Sequence, residues 1–395
     1  MGISCDSLKQ EAEALAERMR DLYRIIHQNP ELGCHELETS VLVERRLQAL
    51  GIQTARVADT GIVGLLTGGR PGKTVAIRSE LDALPIQEET GLPWASQTEG
   101  VMHACGHDFH IAALLGAAQL LAGHREELPG AVKFFFQPDE EGDGGAEAMI
   151  AAGCMEHPQV DAVFALHCDS QLPVGTVSVM EGRICAASNP FRITLHGRGA
   201  HGARPQEGND VIVAGAQIIN AIQTIVSRQT SPTEPVVISV GTFHSGVAGN
   251  VLATEAKLSG IIRTLGGRMR EEIKERFRAV VTSVAMAMGV EAEIEIEESY
   301  PGIINQGAMT RLVRRSAAKV LGEDHVLLGR RPSMGTDDFG YFSHCAPGCY
   351  YQLGTADPDW PTRWPDHSPL FRVSERALPI AAALHAQIAL DFLGG

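Results

Sequence analysis

The sequence is poor in basic residues and lacks a long uninterrupted apolar run. It has 33 Lys and Arg against 48 Asp and Glu, a formal net charge of −15. Such an acidic chain repels phosphate backbones and anionic lipids, which argues against nucleic acid and membrane as partners. No apolar stretch approaches the ~18 residues of a membrane span. The first twenty residues have no apolar core, so we expect no signal peptide.

Closely paired cysteines are also missing. The eight cysteines are scattered over 395 residues without a CxxC motif. A chain of this length buries a large core without disulfide bonds, so we predict reduced thiols and a cytoplasmic location. At roughly 150 residues per domain, the length predicts two or three domains.

The apolar pattern predicts an α/β fold. Non-alternating apolar runs near 61–67, 74–81, 131–138 and 160–168 are interleaved with helical segments. This pattern is typical of buried strands in a mixed, largely parallel sheet flanked by helices. From about 188 to 300 the order changes to β-α-β-β-α-β, which is that of a ferredoxin-like α+β domain. We therefore predict a catalytic domain in two parts, 1–187 and 301–395, with an inserted domain at 188–300.

Two short segments combine residue types that bind metals. Cys105 and His107 flank Gly106 just before a helix, and thiolate and imidazole are both ligands of transition metals. Glu140 and Glu141 follow an apolar strand directly. Of two adjacent carboxylates, one can bind a metal while its neighbour acts as a general base on a water.

Two histidines extend this set. His167 ends a buried strand, and His367 lies in a loop before the last helix. Taken singly, each of these side chains is explained by ordinary core packing, capping or a surface turn. Together they are too many for one structural site but enough for two ions that share a water. The predicted ligands are Cys105, His107, Glu141, His167 and His367.

Longer motifs connect these residues. They are HQNPELG (27–33), LDALPI (81–86), MHACGHD (102–108), FQPDEEGDGGA (136–146), GRGAHGARPQEGNDVI (197–212), MGTDDFGYF (334–342) and HSPLF (367–371). In combination they resemble, over essentially the whole chain, the amidohydrolase branch of metallopeptidase family 20. This branch includes aminoacylases, hippurate hydrolases and plant auxin-conjugate hydrolases.

The resemblance implies a zinc-peptidase-like catalytic domain with an inserted lid and dimerisation domain. It implies two divalent metal ions per subunit, with zinc as the default and manganese, cobalt or nickel as alternatives. The substrate would be an N-acyl amino acid and the assembly a homodimer formed through the inserted domain. In relatives the histidine of the GAHGARP motif can reach the partner subunit's site. The implied roles are metal ligation by the five residues above, general base for Glu140, oxyanion stabilisation for His201, and substrate binding for Asn250, Arg263 and Gly335.

The chain departs from the family pattern at three places. Glu80 stands where Asp is usual, and Asp139 stands before the glutamate pair where a small residue is usual. Residues 252–254 read Leu-Ala-Thr instead of the usual Val-Ile-Pro. None of these is a predicted ligand. The role of Asp82 is open, either orienting the site or holding the turn before Pro85.

Three other functions stay open at this point. The first is a metallo-dipeptidase or carboxypeptidase that acts on peptides with a free amine. The second is a non-catalytic metal-binding homologue. The third is a redox-sensing protein built on Cys345 and Cys349.

Overall fold

The computed structural model describes residues 3–329, 331–360 and 362–395, which fall into two compact units. The first unit comprises Met1–Gly182, Ile304–Arg330 and Asp338–Gly395. The second comprises Arg183–Ile303 and Arg331–Asp337. The second unit thus starts five residues before the predicted 188 and includes a short segment from the C-terminal part of the chain.

Ten α-helices lie in the described residues. They are α1 Cys5–Ala14, α2 Ala16–Gln28, α3 Leu37–Ala49, α4 His107–Gly123, α5 Ala146–Ala151, α6 Val211–Arg228, α7 Arg268–Ala287, α8 Gly307–Leu321, α9 Phe339–Cys345 and α10 Leu378–Gly394. Helices α1 and α2 are separated at Leu15. No Gly or Pro marks this break in the sequence.

Fourteen β-strands lie in the same residues. They are β1 Gln53–Val57, β2 Gly61–Thr67, β3 Arg70–Glu80, β4 Pro129–Gln137, β5 Ala162–Pro173, β6 Val177–Val179, β7 Gly182–Arg183, β8 Ala187–His196, β9 Val236–Ser245, β10 Glu255–Thr264, β11 Glu291–Ile296, β12 Ile304–Asn305, β13 Val326–Leu328 and β14 Gly348–Ala356.

The first unit is built on an eight-stranded sheet of order β1-β2-β4-β3-β5-β14-β6-β13. Four of its seven strand pairings are parallel, including β4 with β3, β3 with β5, and β5 with β14. These central strands are buried along most of their length, which explains their continuous apolar runs. The predicted α/β class with a largely parallel sheet is confirmed.

Two helical segments are long and apolar enough to cross a membrane by length and composition. They contradict the prediction that no apolar stretch approaches the length of a membrane span. The segment Glu375–Gly394, which contains α10, is mostly buried in the core of the first unit, where α10 packs against α4. Helix α6 turns one apolar face to the core of the second unit. Helix α10 therefore has the burial of an apolar core helix, while α6 is buried on one face only.

The second unit contains a four-stranded antiparallel sheet of order β11-β8-β10-β9. Its elements follow the chain as β8-α6-β9-β10-α7-β11. The apolar residues of α6 and α7, among them Ile218 and Phe277, pack with the inward side chains of the strands, such as Ile193 and Leu258. This unit has a core of its own, as an independent domain requires.

Candidate active site

The predicted metal ligands meet at one edge of the eight-stranded sheet. Glu80 ends β3, and the Glu140 and Glu141 loop follows β4. His167 lies within β5, which continues to Pro173, so the prediction that His167 ends its strand is wrong. Because these strands are parallel neighbours, their carboxyl ends reach the same edge, where α/β sheets place ligands. Cys105 and His107 join them from the start of α4.

Gly106 makes the close arrangement of Cys105 and His107 possible. Its φ of 84° lies in the left-handed region that favours glycine. A Cβ at this position would lie 2.4 Å from the sulfur of Cys168. Any other residue would therefore displace either the α4 N-terminus or strand β5.

The five predicted ligands form overlapping clusters. The Cys105 Sγ lies 3.4 Å from His167 Nε2, and His367 Nε2 lies 3.0 Å from Glu141 Oε1. Ligand atoms within each cluster lie within 4.8 Å of one another. Three of the clusters are Cys105 with His107 and His167, Cys105 with Glu141 and His367, and His107 with Glu140 and Glu141. Cys105 and His107 each belong to two of these three clusters, and Glu140 lies beside the predicted ligands.

Hydrogen bonds orient two of these imidazoles. His107 Nδ1 donates to the carbonyl oxygen of Asp82 at 2.9 Å, and His167 Nδ1 donates to the carbonyl oxygen of Cys168 at 2.8 Å. In the neutral ring, the form that binds a metal, the opposite nitrogen therefore carries the free lone pair. In His107 that nitrogen, Nε2, is buried and has no hydrogen-bond partner among the described residues. An orphaned buried acceptor of this kind suits a metal ligand.

His110 is a buried neighbour of the clusters with a different role. Its Nδ1 lies 2.8 Å from Glu80 Oε2, and its Nε2 accepts the backbone N–H of Cys168 at 2.9 Å. Both ring nitrogens are thus occupied, so His110 offers no lone pair to an ion. Burial lowers its pKa to about 4, which keeps the ring neutral.

The charges around the clusters favour a cation. Burial and the nearby Glu141 carboxylate raise the pKa of the Cys105 thiol. Burial alone would lower the pKa of His107, but Asp82, Glu80 and Glu141 raise it to about 10. The raised pKa of His107 reflects the nearby carboxylates, whose charge a divalent cation on Nε2 would neutralise in place of the second imidazole proton. A cation would also stabilise the buried Cys105 thiolate. The donor set of sulfur, imidazole and carboxylate therefore fits transition-metal ions.

A buried ionic network lies beneath the clusters, and sequence reasoning missed it. The Arg78 guanidinium contacts Glu80, donates to Asp338 Oδ1 at 2.8 Å and donates to the side-chain oxygen of Gln137 at 2.8 Å. All three charged side chains have no exposed surface. Asp338 Oδ2 also accepts the backbone N–H of Ala146, the first residue of α5. The only sequence signal was an arginine inside the apolar run 74–81.

The other predicted site residues lie in the second unit, in two groups. His201 pairs with Val251, and the carbonyl of Asn250 accepts the N–H of Gly202 at 2.8 Å. Arg263 donates to the hydroxyl of Thr336, next to Gly335. The first group, His201 and Asn250, lies beyond the Glu255 end of β10. The second group, Arg263 and Gly335, lies at the other end of β10. Eight residues of strand, roughly 26 Å, separate these ends, so one small substrate cannot contact both groups of one chain.

The environment of Cys345 and Cys349 argues against the redox hypothesis. Cys349 is buried in β14, and burial raises its pKa to about 12. Burial also raises the pKa of Cys345. Reactive thiols have lowered pKa values, so this pair has the opposite character.

Comparison with known proteins decides the family. A profile of peptidase family M20/M25/M40 matches residues 76–391. The chain belongs to this family. It is 38% identical to thermostable carboxypeptidase 2 of Saccharolobus solfataricus over 392 residues, which is 98% of each chain. It is 37% identical to the N-acetyl-L-cysteine deacetylase of Bacillus subtilis, covering 94% of this chain and 88% of that protein.

A solved structure supports the same assignment. A dinuclear metal-binding peptidase of the M20 family from Bacillus subtilis superposes with a TM-score of 0.84 at 33% identity, covering 97% of this chain and 99% of the other. The resemblance inferred from the motifs is confirmed, and so is the predicted enzyme class, a hydrolase of this family.

Proposed function

We propose that the chain is a two-metal amidohydrolase that cleaves N-acyl amino acids into a carboxylic acid and a free amino acid. The observation that carries this proposal is the convergence of five sulfur, imidazole and carboxylate donors beside the buried carboxylate of Glu140. The relative named N-acetyl-L-cysteine deacetylase supports this substrate class.

The residues that would hold the two ions are Cys105, His107, Glu141, His167 and His367. Bound divalent ions would lower the pKa of a shared water and stabilise negative charge on the substrate's carbonyl oxygen. Asp82 orients His107 through its carbonyl oxygen, and its Oδ2 accepts the N–H of Glu141 at 2.9 Å. Zinc fits the Cys and His donors best, and manganese, cobalt and nickel are the alternatives.

Glu140 would move the proton. Its carboxylate takes a proton from water as the water oxygen bonds to the acyl carbon. It then delivers that proton to the amide nitrogen as the C–N bond breaks, which releases a neutral amine. This transfer requires a carboxylate next to the reacting atoms, and Glu140 is only 7% exposed and clusters with His107 and Glu141.

A carboxypeptidase acting on free-amine peptides is the second candidate. It is favoured by the relative named thermostable carboxypeptidase 2, at 38% identity. Both reactions hydrolyse an amide and use the same water-activating groups. They differ in what lies on the acyl side of the bond, an uncharged acyl group or a charged amine.

One experiment tests the metal content and the substrate class together. The purified chain is expected to hold about two divalent ions by elemental analysis, to lose activity with a chelator and to regain it with zinc, manganese, cobalt or nickel. N-acetyl and N-benzoyl amino acids are expected to be cleaved faster than the matching dipeptides. Faster cleavage of dipeptides would favour the carboxypeptidase. A metal-loaded protein without either activity would favour the non-catalytic homologue.

We further propose that the second unit is a lid and dimerisation domain of a cytoplasmic homodimer. This unit comprises Arg183–Ile303 and Arg331–Asp337, which is more than the predicted 188–300. The roughly 26 Å between the His201 and Arg263 groups supports this arrangement, because a small substrate contacts only one of them in one chain. In the dimer, His201 and Asn250 would serve the partner subunit's site. His201 would there donate a hydrogen bond to the developing oxyanion. Arg263 and Gly335 would contact the substrate of their own subunit.

Mixed dimers test this sharing. Glu140→Gln and His201→Ala are each expected to be nearly inactive alone. Mixing and re-forming dimers is expected to restore up to about a quarter of wild-type turnover, because half of the dimers are mixed and each has one intact site. The control is the same mixture without subunit exchange. No recovery despite proven exchange would show that His201 acts within its own chain.

A further inference from the structure

The segment HQNPELG and the residues after it contact the loop that carries Glu140. Glu36, directly before α3, is fully buried. Its Oε1 accepts the backbone N–H of Asp139 at 2.8 Å, and its Oε2 accepts the Thr60 hydroxyl at 2.7 Å. Asp139 is the residue before the proposed general base. The chain's N-terminal region therefore holds the backbone of the catalytic loop at a defined point.

Asp139 also makes hydrogen bonds within the loop that carries Glu140. Its φ of 52° lies in the left-handed region, which Asp and Asn adopt more readily than most residues. Its Oδ2 accepts the N–H of Asp143 at 3.0 Å, and its carbonyl accepts the N–H of Gly144 at 3.0 Å. These two hydrogen bonds close a tight turn over residues 139–144, and Glu140 and Glu141 lie within this turn.

Two glycines leave the space for this carboxylate. A Cβ at Gly33 would lie 1.8 Å from Asp139 Oδ1, and one at Gly142 would lie 2.2 Å from the same atom. The side chain of Asp139 is therefore enclosed between the HQNPELG segment and its own loop. Its placement explains why a residue larger than the usual small one fits at this position in this chain.

We propose that Glu36 and Asp139 are positioning residues that hold Glu140 in place for proton transfer. Glu140 lies between two fixed peptide groups, because Glu36 holds the N–H of Asp139 and Asp82 holds the N–H of Glu141. A displacement of about 1 Å at a catalytic group lowers turnover by about 10²-fold. This inference rests on the proposed role of Glu140 as general base.

The test compares Glu36→Ala and Glu36→Gln with Ser40→Ala. Ser40 is buried on α3 and donates to the carbonyl of Thr60, so its loss removes a similar anchor without touching Asp139. Glu36→Ala is expected to lower kcat by about 10- to 100-fold, with KM and metal content nearly unchanged. Glu36→Gln keeps an acceptor for the Asp139 N–H and is expected to stay within about threefold of wild type, as is Ser40→Ala.

The pH profile separates positioning from a merely structural effect. The limb of kcat/KM that reports the general base is expected to move in Glu36→Ala and not in Ser40→Ala. Equal kinetics and profiles for these two variants, with Glu140→Gln inactive, would overturn the positioning role. A fully active Glu140→Gln would instead overturn the proposed function.

A second pair of variants tests the same contact from the loop side, should Glu36→Ala fold poorly. Asp139→Asn keeps a side-chain oxygen and tolerates the left-handed backbone, so it is expected to retain activity. Asp139→Gly also tolerates this backbone but lacks the side-chain oxygen, and its kcat is expected to fall about tenfold. A fully active Asp139→Gly would overturn the role of Asp139.

Discussion

Replacing Glu140 by Gln is expected to lower kcat by about 10³-fold or more while the protein keeps its metal ions. The amide has nearly the shape of the carboxylate but cannot take a proton from water or return one to the leaving amine. General acid–base catalysis contributes about 10²–10⁴-fold, and Glu140 is proposed to act in both steps. The measurement is steady-state kinetics on an N-acyl amino acid, with elemental analysis of the same sample.

Glu147→Gln is the matched control, since Glu147 lies on the exposed side of α5, seven residues further along the chain. It is expected to have wild-type kinetics. Loss of metal in Glu140→Gln would assign Glu140 to ligation instead of proton transfer. Unchanged turnover with metal retained would place the base elsewhere.

The clustering of the proposed metal ligands could be predicted from the sequence because each lies where a predicted element begins or ends. Cys105 and His107 precede a helix, and Glu141 follows a strand whose apolar run is unmistakable. The parallel order of β4, β3 and β5 then brings their carboxyl ends together. Local patterns and a general rule about α/β sheets were sufficient for this part of the site.

The groups that orient those ligands could not be found in this way. Arg78 and Asp338 are 260 positions apart, and their contact depends on the packing of α9 against the sheet. The contact of Glu36 with Asp139 spans 103 positions. Periodicity describes which face of an element is buried, but it does not describe which polar groups meet inside the core. Glu80 and Asp139 were visible only as departures from a family pattern.

The buried network makes Arg78 the residue whose loss is expected to destabilise the first unit most. Arg78→Met preserves much of the side-chain volume but leaves the carboxylates of Glu80 and Asp338 buried without their cation. Removing one partner of a buried ion pair costs about 3–5 kcal/mol. For a unit of this size, the melting temperature is expected to fall by roughly 10 °C. Scanning calorimetry would measure this change on the transition that belongs to the first unit.

Lys319→Met is the control, because Lys319 is half exposed and its 2.6 Å ion pair with Asp391 lies at the surface. Its expected cost is below about 1 kcal/mol.

The stability lost in Arg78→Met is also expected to depend on pH, which gives a second, independent measurement. Burial would raise the pKa of Glu80, but Arg78 and His110 hold it well below its usual value. A carboxyl group with a lowered folded-state pKa stabilises the fold above its unfolded value of about 4.3, and this contribution is lost as the pH falls. In Arg78→Met that pKa rises, so Glu80 can be neutralised by protonation. The stability difference between wild type and Arg78→Met is therefore expected to be largest near neutral pH and to shrink towards acidic pH. A difference that is small and constant with pH would mean that other groups already neutralise the buried carboxylates.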